Sequence, residues 1–231
     1  MRVAAITAVQ SERDAVARGA RVANIVQVGP YPALTGTTAG GDGLQVIAGG
    51  VGPAASSAAA MAAVLDGADA LLSLGIAGAY GGLPQGRVVV ANAVLAGDLG
   101  VATDDGFLDL ATLGFGPSAY MCAPRLVELL QESLAAAGVE ATVGPVVTLS
   151  SATGTDARAA ELVARLRPVA EAMEGSGVAH VAALAGVPML ELRTISNAVG
   201  RRDMSSWDIP QALAALESAA AAIFAGRVAT H

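Results

Sequence analysis

The sequence predicts a single-domain α/β fold of three layers, in which helices flank a twisted, mostly parallel mixed central sheet. The 231 residues are 54% hydrophobic and 14% charged, a composition that can bury a large core. Short apolar runs alternate with longer Ala-rich helical stretches, which is the pattern of a mostly parallel sheet covered on both faces. Because no composition shift marks a linker, we expect one domain over residues 1–231.

The first half of the chain alternates apolar strands with Ala-rich helices. The expected strands are short apolar runs, which cover residues 3–9, 44–50, 68–75 and 86–98. The first helix is expected to follow the first strand, with Ser11 as its N-cap. The second begins at Pro53, a residue favoured in the first helical turn, and continues to Leu65.

The second half resumes the alternation after an irregular stretch. Residues 99–120 contain Gly, Pro, Asp and Thr without clear periodicity, so we expect a long loop of the kind that often serves as a lid. The helices expected after it cover about 124–137, 155–167, 172–186 and 207–225, and the strands between them cover 143–151 and 187–197.

The charge balance argues against several classes of partner. The net charge of −7 leaves no basic patch for nucleic acid or an anionic membrane surface, and 3% aromatic residues provide no stacking platform for single strands. No window holds 18 uninterrupted apolar residues, so we expect no membrane span. The opening apolar run is short and charge follows at once, which favours a buried strand over a signal peptide. We therefore expect a cytoplasmic protein.

Metal and nucleophile chemistry also lack the residues that they require. The single Cys122 excludes an internal disulfide and a multi-cysteine metal site, and His180 and His231 are too few for a histidine-rich metal centre. No Ser–His–acid set and no G-x-S-x-G turn is visible. We expect neither a metal nor a cofactor, with His180 a packed or surface residue and Cys122 an inert one.

The candidate ligand-binding residues are those that follow the strands, since ligands of such folds bind beyond the carboxyl ends of the strands. They comprise 10–12, 49–52, 73–78, 150–153 and 193–197, together with Met173 and Glu174 at the start of a helix. The segments GGVGP and SLGIAGAYGG are glycine-rich turns whose amides could hold an anion, a ribose or a purine edge, or they are tight turns alone.

Few charged side chains stand among these residues, and each has two interpretations. Glu12 is either a first-turn carboxylate or a catalytic group, and Glu174 is either a helix N-terminal charge or an acceptor for a vicinal diol. Arg193 closes a buried strand and needs an anionic partner, for which Glu12 is a candidate. Arg201 and Arg202 form either a solvated turn or a grip on an acidic substrate.

Five segments in order resemble the superfamily of purine nucleoside phosphorylases and nucleosidases. They are the opening strand with Glu12, GGVGPAAS, SLGIAGA, AMEGSGVAHVA and ELRTISN. The segments at 97–110 and 193–213 are most similar to the subgroup of futalosine hydrolases. The resemblance implies a nucleoside phosphorylase-like fold, a purine nucleoside as ligand, and a homodimer or higher homo-oligomer. It also implies release of hypoxanthine from futalosine on the route to menaquinone.

The resemblance also implies roles for individual residues. Glu12 would activate a water for attack at C1′ of the ribose, and Ser73 and Arg193 would help to place that water and the carboxylate. The other implied substrate-binding residues are Gly75 in the same glycine-rich segment, Glu174 at the ribose 2′ and 3′ hydroxyls, Met173 under the sugar, Ser196 at the strand end, and Asn197 facing the base. The benzoate of futalosine would take a cation, which Arg201 or Arg202 could supply within the chain or across a subunit contact.

Asn197 departs from the pattern of relatives that cleave adenine nucleosides, in which this position resembles an Asp that protonates N7. An Asn cannot release a proton, but it can donate its amide N–H to a 6-oxo oxygen and accept from N7–H. Asn197 therefore favours a 6-oxopurine, hypoxanthine or guanine, with solvent or another group as the general acid.

Three alternatives stay open at this point. The first is a methylthioadenosine/adenosylhomocysteine nucleosidase, against which Asn197 argues. The second is an inosine or guanosine phosphorylase. The glycine-rich segments carry no Arg that would grip phosphate, although Arg87 follows the second of them. The third is a nucleoside-binding protein without catalysis, against which the joint presence of Glu12, Glu174 and Arg193 argues.

Overall fold

A computed structural model describes residues 1–226. The last five residues of the predicted domain, 227–231, which include His231, lie outside the described part. The strands are β1 (Arg2–Thr7), β2 (Asn24–Val28), β3 (Tyr31–Thr37), β4 (Gly43–Ala48), β5 (Ala70–Ala79), β6 (Val88–Ala96), β7 (Gly100–Thr103), β8 (Gly106–Asp109), β9 (Ala119–Met121), β10 (Ala141–Thr148), β11 (Ala170–Ala172) and β12 (Met189–Ala198). The helices are α1 (Gln10–Ala20), α2 (Pro53–Leu65), α3 (Leu110–Leu113), α4 (Pro124–Ala136), α5 (Asp156–Leu166), α6 (Gly175–Ala185) and α7 (Ile209–Ile223), with a 3-10 turn at Met204–Ser206.

The described strands form one large mixed sheet and a separate hairpin of β7 and β8. The order in the large sheet is β11-β10-β6-β12-β5-β1-β4-β3-β2, and β9 pairs with β6. β4, β1, β5 and β12 run parallel to their neighbours in this group, whereas β6 is antiparallel to β12. β11 pairs with both β10 and β5, so the sheet curls back on itself around β5, β12, β6, β10 and β11. The predicted mixed α/β class is confirmed.

The helices that cover the sheet form two groups, and the helices of each group pack against one another. α1 and α4 pack on α7, and α2 packs on α6. The main core is built from aliphatic side chains of the central strands, among them Ile6, Leu72, Val90 and Leu192, because buried strands are apolar on both faces. In the described part of the chain no helix is both long and apolar enough to span a bilayer.

The end of β5 differs from the prediction. Residues Ala70–Ala79 form one continuous strand, so SLGIAGA is strand rather than turn. Its glycines are needed where other groups approach: a Cβ on Gly75 would lie 2.6 Å from both Glu12 Oε1 and Arg193 Nη1. By contrast, GGVGP is a true turn, since Gly50 and Gly52 have φ angles of 104° and 94°.

Other boundaries also depart from the expectations. Residues 99–120 are not one loop, because they hold the β7–β8 hairpin, α3 and the start of β9. The hairpin of β2 and β3 was not predicted. Ser11 is not the N-cap of α1, because the helix begins at Gln10 and Val9 is its N-cap. The predicted 172–186 helix begins at Gly175, and β11 precedes it.

β12 carries an irregularity near its end. Its register against β5 shifts between Ile195 and Asn197, so that Ile195 lies opposite Ala77 and Asn197 opposite Gly78. Such a β-bulge re-aims the side chains beyond it. It places Ser196 and Asn197, two consecutive residues, on the same cleft.

Candidate active site

A cleft of about 240 Å³ opens beyond the carboxyl ends of β1, β5 and β12, where the ligands of parallel sheets bind. Its walls combine apolar surface with a few polar groups. The lining residues that matter for the chemistry are Glu12, Glu171, Met173, Glu174, Ser196, Asn197, Arg201, Arg202 and Trp207.

Glu12 presents a buried carboxylate to this cleft from the first turn of α1. Its Oε2 accepts from the backbone N–H groups of Ala8 and Val9 at 2.9 and 3.2 Å, and its Oε1 accepts from that of Ile76 at 2.9 Å. Burial raises the pKa of Glu12, while Arg193 and these amides oppose the rise. The group is therefore held in a fixed position and is a stronger base than an exposed glutamate.

Arg193 lies wholly buried in β12, beneath the cleft, and fixes the acids around it. Its Nε donates to Glu191 Oε1 at 2.8 Å, its Nη1 lies 3.3 Å from Glu174 Oε2, and its Nη2 donates to Ser73 Oγ at 2.8 Å. The direct partners are thus Glu191 and Glu174, rather than the expected Glu12. Burial tends to lower the pKa of Arg193, but the surrounding carboxylates outweigh it and raise that pKa, so the guanidinium stays charged.

Glu174 joins this cluster from the residue before α6. Its Oε1 accepts from the backbone N–H of Gly52 at 3.2 Å, and its Oε2 from that of Met173 at 3.3 Å. Both oxygens belong to a carboxylate that is 5% exposed and faces the cleft. Because each carboxylate oxygen has two lone pairs, acceptor capacity remains for a pair of adjacent hydroxyls.

Ser196 and Asn197 line the cleft at the end of β12. The Ser196 hydroxyl donates to Asn197 Oδ1 at 2.7 Å and lies 3.2 Å from the carbonyl of Ala77. Asn197 Nδ2 donates to the carbonyl of Ala198 at 2.9 Å. The serine hydroxyl thereby fixes the orientation of the amide, with its oxygen towards Ser196.

Ser73 and Gly75 lie beneath the cleft and do not line it. Ser73 is buried and accepts from Arg193, and Gly75 leaves the space that Glu12 and Arg193 occupy. Ser73 therefore acts on the cleft through Arg193, and Gly75 acts on it through Glu12 and Arg193.

Arg201 and Arg202 contribute exposed cations to the lining of the cleft. The Arg201 backbone N–H donates to Asp156 Oδ1 at 2.8 Å, and the Arg202 guanidinium lies 5.6 Å from the centre of the Trp207 ring. These contacts leave both guanidinium groups able to meet an anion in solvent.

His180 and Cys122 stand apart from the cleft, as expected. The His180 ring is exposed and lies 3.1 Å from the Tyr120 hydroxyl. Burial raises the pKa of the Cys122 thiol to about 12, which leaves it protonated and unreactive.

Two buried acids were missed in the sequence. Glu191 is wholly buried beside Arg193, and burial raises its pKa while Arg193 opposes the rise. Glu171 lines the cleft from β11 and accepts from the Tyr80 hydroxyl at 2.6 Å. The signal for Glu191 was available, because an acid two residues before Arg193 lies on the same face of a strand.

Comparison with known proteins finds relatives over almost the whole chain. The family model described as "Phosphorylase superfamily" matches residues 2–229. A protein named futalosine hydrolase from Streptomyces coelicolor is 46% identical over 228 residues, covering 95% of this chain and 93% of the relative. Another, from Acidothermus cellulolyticus, is 44% identical over 220 residues, covering 94% and 88%. The native structure of futalosine hydrolase of Helicobacter pylori shares the fold, with a TM-score of 0.84, 19% identity and 95% coverage of both chains.

Proposed function

The chain belongs to the phosphorylase superfamily, and within it we propose that the protein hydrolyses the N-glycosidic bond of futalosine and releases hypoxanthine. Residues 1–231 form one nucleosidase domain in this proposal. The reaction is a step on the futalosine route to menaquinone. The observation that carries the proposal is the buried Glu12 carboxylate, which faces the cleft with a raised pKa next to the second acid Glu174.

Glu12 acts as the general base. Cleavage of a C–N glycosidic bond passes through an oxocarbenium-like state, so a carboxylate near C1′ stabilises the developing positive charge. A water attacks C1′, Glu12 takes a proton from that water, and the electron pair of the broken bond leaves with the purine. The purine gains a proton at N7 from solvent or another group, and the sugar keeps the new hydroxyl.

The cluster around Arg193 positions the reacting groups. Ser73 fixes Arg193, whose charge acts on Glu12 and the water, and Gly75 leaves the space that Glu12 and Arg193 occupy. Glu174 accepts from the ribose 2′ and 3′ hydroxyls, and Met173 packs under the sugar. Both flank the cleft, which supports these roles.

Asn197 selects the base, with Ser196 holding its amide. The Ser196 hydroxyl donates to Asn197 Oδ1, which leaves an amide N–H to donate to a 6-oxo oxygen. For the 5′ subsite, Arg201 or Arg202 pairs with the carboxylate of futalosine. The position of both residues on the cleft, and that of Arg202 over Trp207, support this 5′ subsite.

The proposal includes a homodimer in the cytoplasm. Several apolar side chains between residues 99 and 121 are exposed in the single chain, and an interface would cover them: Leu99, Val101, Leu108, Phe115 and Met121. Cell fractionation would test the location.

One assay tests the reaction. The pure protein is incubated with futalosine in phosphate-free buffer, and the released base is identified by chromatography. We expect hypoxanthine at a rate that added phosphate does not raise. Absence of hypoxanthine would reject the proposal. Adenine release from methylthioadenosine would indicate the adenine-type nucleosidase, and dependence on phosphate with a sugar 1-phosphate product would indicate a phosphorylase.

A further inference from the structure

Glu171 is a cleft-lining acid to which the proposed mechanism gives no role. It lies in β11, opposite Gly78 of β5, and Asn197 of β12 lies opposite the same Gly78 from the other side. Neighbouring strands are about 4.8 Å apart, so the backbones of Glu171 and Asn197 are separated by roughly two strand spacings. Both side chains line the cleft. A planar ring held between them would meet one polar group at each end of its edge.

The Glu171 carboxylate is held by two neutral donors. Its Oε1 accepts from the Thr153 backbone N–H at 2.7 Å, and its Oε2 accepts from the Tyr80 hydroxyl at 2.6 Å. Burial, reinforced by Glu171 itself, raises the pKa of Tyr80, so this hydroxyl keeps its proton and stays a donor. With two lone pairs on each oxygen, the carboxylate retains acceptor capacity towards the cleft.

Among residues 1–226, Glu171 has no basic side chain as a direct partner. Within residues 1–226 no ion pair of 4.0 Å or less joins Glu171 to a basic side chain, while Arg158, on the same side of the molecule, pairs with Glu161. A buried acceptor of this kind favours an N–H donor of the ligand and disfavours a lone pair.

The two purine classes differ at the atom in question. A 6-oxopurine carries a hydrogen on N1, next to its carbonyl, whereas adenine carries a lone pair on N1. N1 is bonded to C6 on the side of the carbonyl away from N7, so a base with its 6-oxo oxygen and N7 at Asn197 has N1 beyond that carbonyl. A base seated across Gly78 in this way can present N1 to the β11 side, where Glu171 lies.

We propose that Glu171 accepts a hydrogen bond from N1–H of the bound base and makes the cleft selective for 6-oxopurines over adenine. This inference rests on the proposed function for the placement of the base. Asn197 and Glu171 then recognise adjacent parts of one purine edge, and a ligand without a hydrogen on N1 loses the second contact.

Binding of free bases tests the assignment without any turnover. Calorimetry compares hypoxanthine, 1-methylhypoxanthine and adenine on the wild type and on Glu171→Gln. We expect the substitution to weaken hypoxanthine roughly 10-fold or more, since a hydrogen bond to a charged acceptor is lost. In the same variant, the Kd of 1-methylhypoxanthine should change less than about twofold. The ratio of the Kd of adenine to that of hypoxanthine should fall, because the new Gln amide can donate to N1 of adenine.

Tyr80→Phe is the matched control, because it removes one support of Glu171 and keeps the carboxylate. It should preserve the difference between hypoxanthine and its 1-methyl derivative. Equal weakening of both ligands in Glu171→Gln would indicate a purely structural role and overturn the assignment, as would unchanged hypoxanthine binding. If that variant does not fold, equal binding of the two ligands to the wild type overturns it. A wild type that binds hypoxanthine in this way but leaves futalosine intact would reject only the proposed function.

Discussion

Glu12 combines three features that a general base requires. It is buried, its oxygens are held by three backbone amides, and burial raises its pKa above that of an exposed glutamate. A base with a raised pKa loses activity as the pH falls through that raised value, since the protonated form cannot accept a proton. We therefore expect kcat/KM to decline on the acid side at a pH above the ordinary range of Glu, about 4.3.

Replacing Glu12 with Gln should separate binding from chemistry. Loss of a general base lowers turnover by roughly 10²–10⁴-fold. We expect kcat to fall at least 100-fold while the affinity for hypoxanthine stays within a few-fold, as judged by steady-state kinetics and calorimetry. Glu132→Gln, at an exposed site, is the matched control. Turnover near that of the wild type would reject Glu12 as the base.

Glu191 lies beneath the cleft and partly neutralises Arg193, the cation that lowers the pKa of Glu12. It pairs with Arg193, and within the described chain its Oε2 has no hydrogen-bond partner. Glu191→Gln removes a negative charge next to Arg193, so the guanidinium should lower the pKa of Glu12 more strongly. We expect the acid limb of the kcat/KM profile to move to lower pH. If the acid limb has the same pH midpoint in the variant as in the wild type, Glu191 is already protonated in that pH range and this expectation is wrong.

At the scale of single residues, the sequence was enough to select four residues of the candidate site: Glu12, Glu174, Arg193 and Asn197. Each is a polar or charged group at the end of an apolar segment, and the carboxyl ends of parallel strands meet at one edge. Glu171 could not be found in this way, because β11 has only three residues and no strand was predicted between the helices at 155–167 and 172–186. The partners of Arg193 were also beyond the sequence, since they depend on which strands are neighbours.

At the scale of elements, β5 is the strand on which the site is assembled. It pairs with three strands. β1 leads into the helix that carries Glu12, β12 carries Arg193, and β11 carries Glu171. Gly75 admits Glu12 and Arg193 at close range, and Gly78 admits Asn197, so larger residues at these positions would displace these side chains. The close contact at Gly75 is therefore a requirement of the site.

Gly75→Ala should impair both activity and stability. The added methyl would lie 2.6 Å from Glu12 Oε1 and from Arg193 Nη1, and both side chains are buried and paired. Displacing a catalytic group by about 1 Å costs roughly 100-fold in rate, and overpacking costs about 1–3 kcal/mol of unfolding free energy. Kinetics and urea unfolding measure the two effects.

Gly43→Ala is the control for this substitution. Gly43 also lies in a strand, and a methyl there would meet only the Met1 carbonyl at 3.7 Å. We expect activity and unfolding free energy close to those of the wild type. If the two alanine variants behave alike, the tight packing at Gly75 has no functional importance.

The alternation of elements was predictable because it depends on local pattern, and its exceptions have physical causes. α2, α4, α5 and α7 lie within two residues of their predicted bounds, since Pro53, Pro124 and polar caps mark their starts. The β2–β3 and β7–β8 hairpins were missed. β2 is exposed except at Val28, and all four residues of β7 are exposed, so neither strand is part of a buried apolar run.

At the scale of the whole molecule, exposed apolar residues cluster in sequence between 99 and 121. Phe115 and Met121 are each 77% exposed. We expect sedimentation of the wild type to give a dimer and Phe115→Glu combined with Met121→Glu to give a monomer, because charges in an apolar interface oppose association. Leu65→Glu, at another exposed leucine, should leave the dimer intact. A monomeric wild type would contradict the proposed interface.

The bulge in β12 divides the strand into a buried part that includes Arg193 and an end that faces the cleft. Before it, Arg193 is bound into a buried cluster in which substitutions are poorly tolerated. Beyond it, position 197 faces the cleft and is half-buried, so its side chain can be exchanged without disturbing that cluster. A lineage could therefore change which base it accepts by a single substitution while keeping its hydrolytic chemistry, and a directed-evolution library centred on 197 would begin from an intact catalyst.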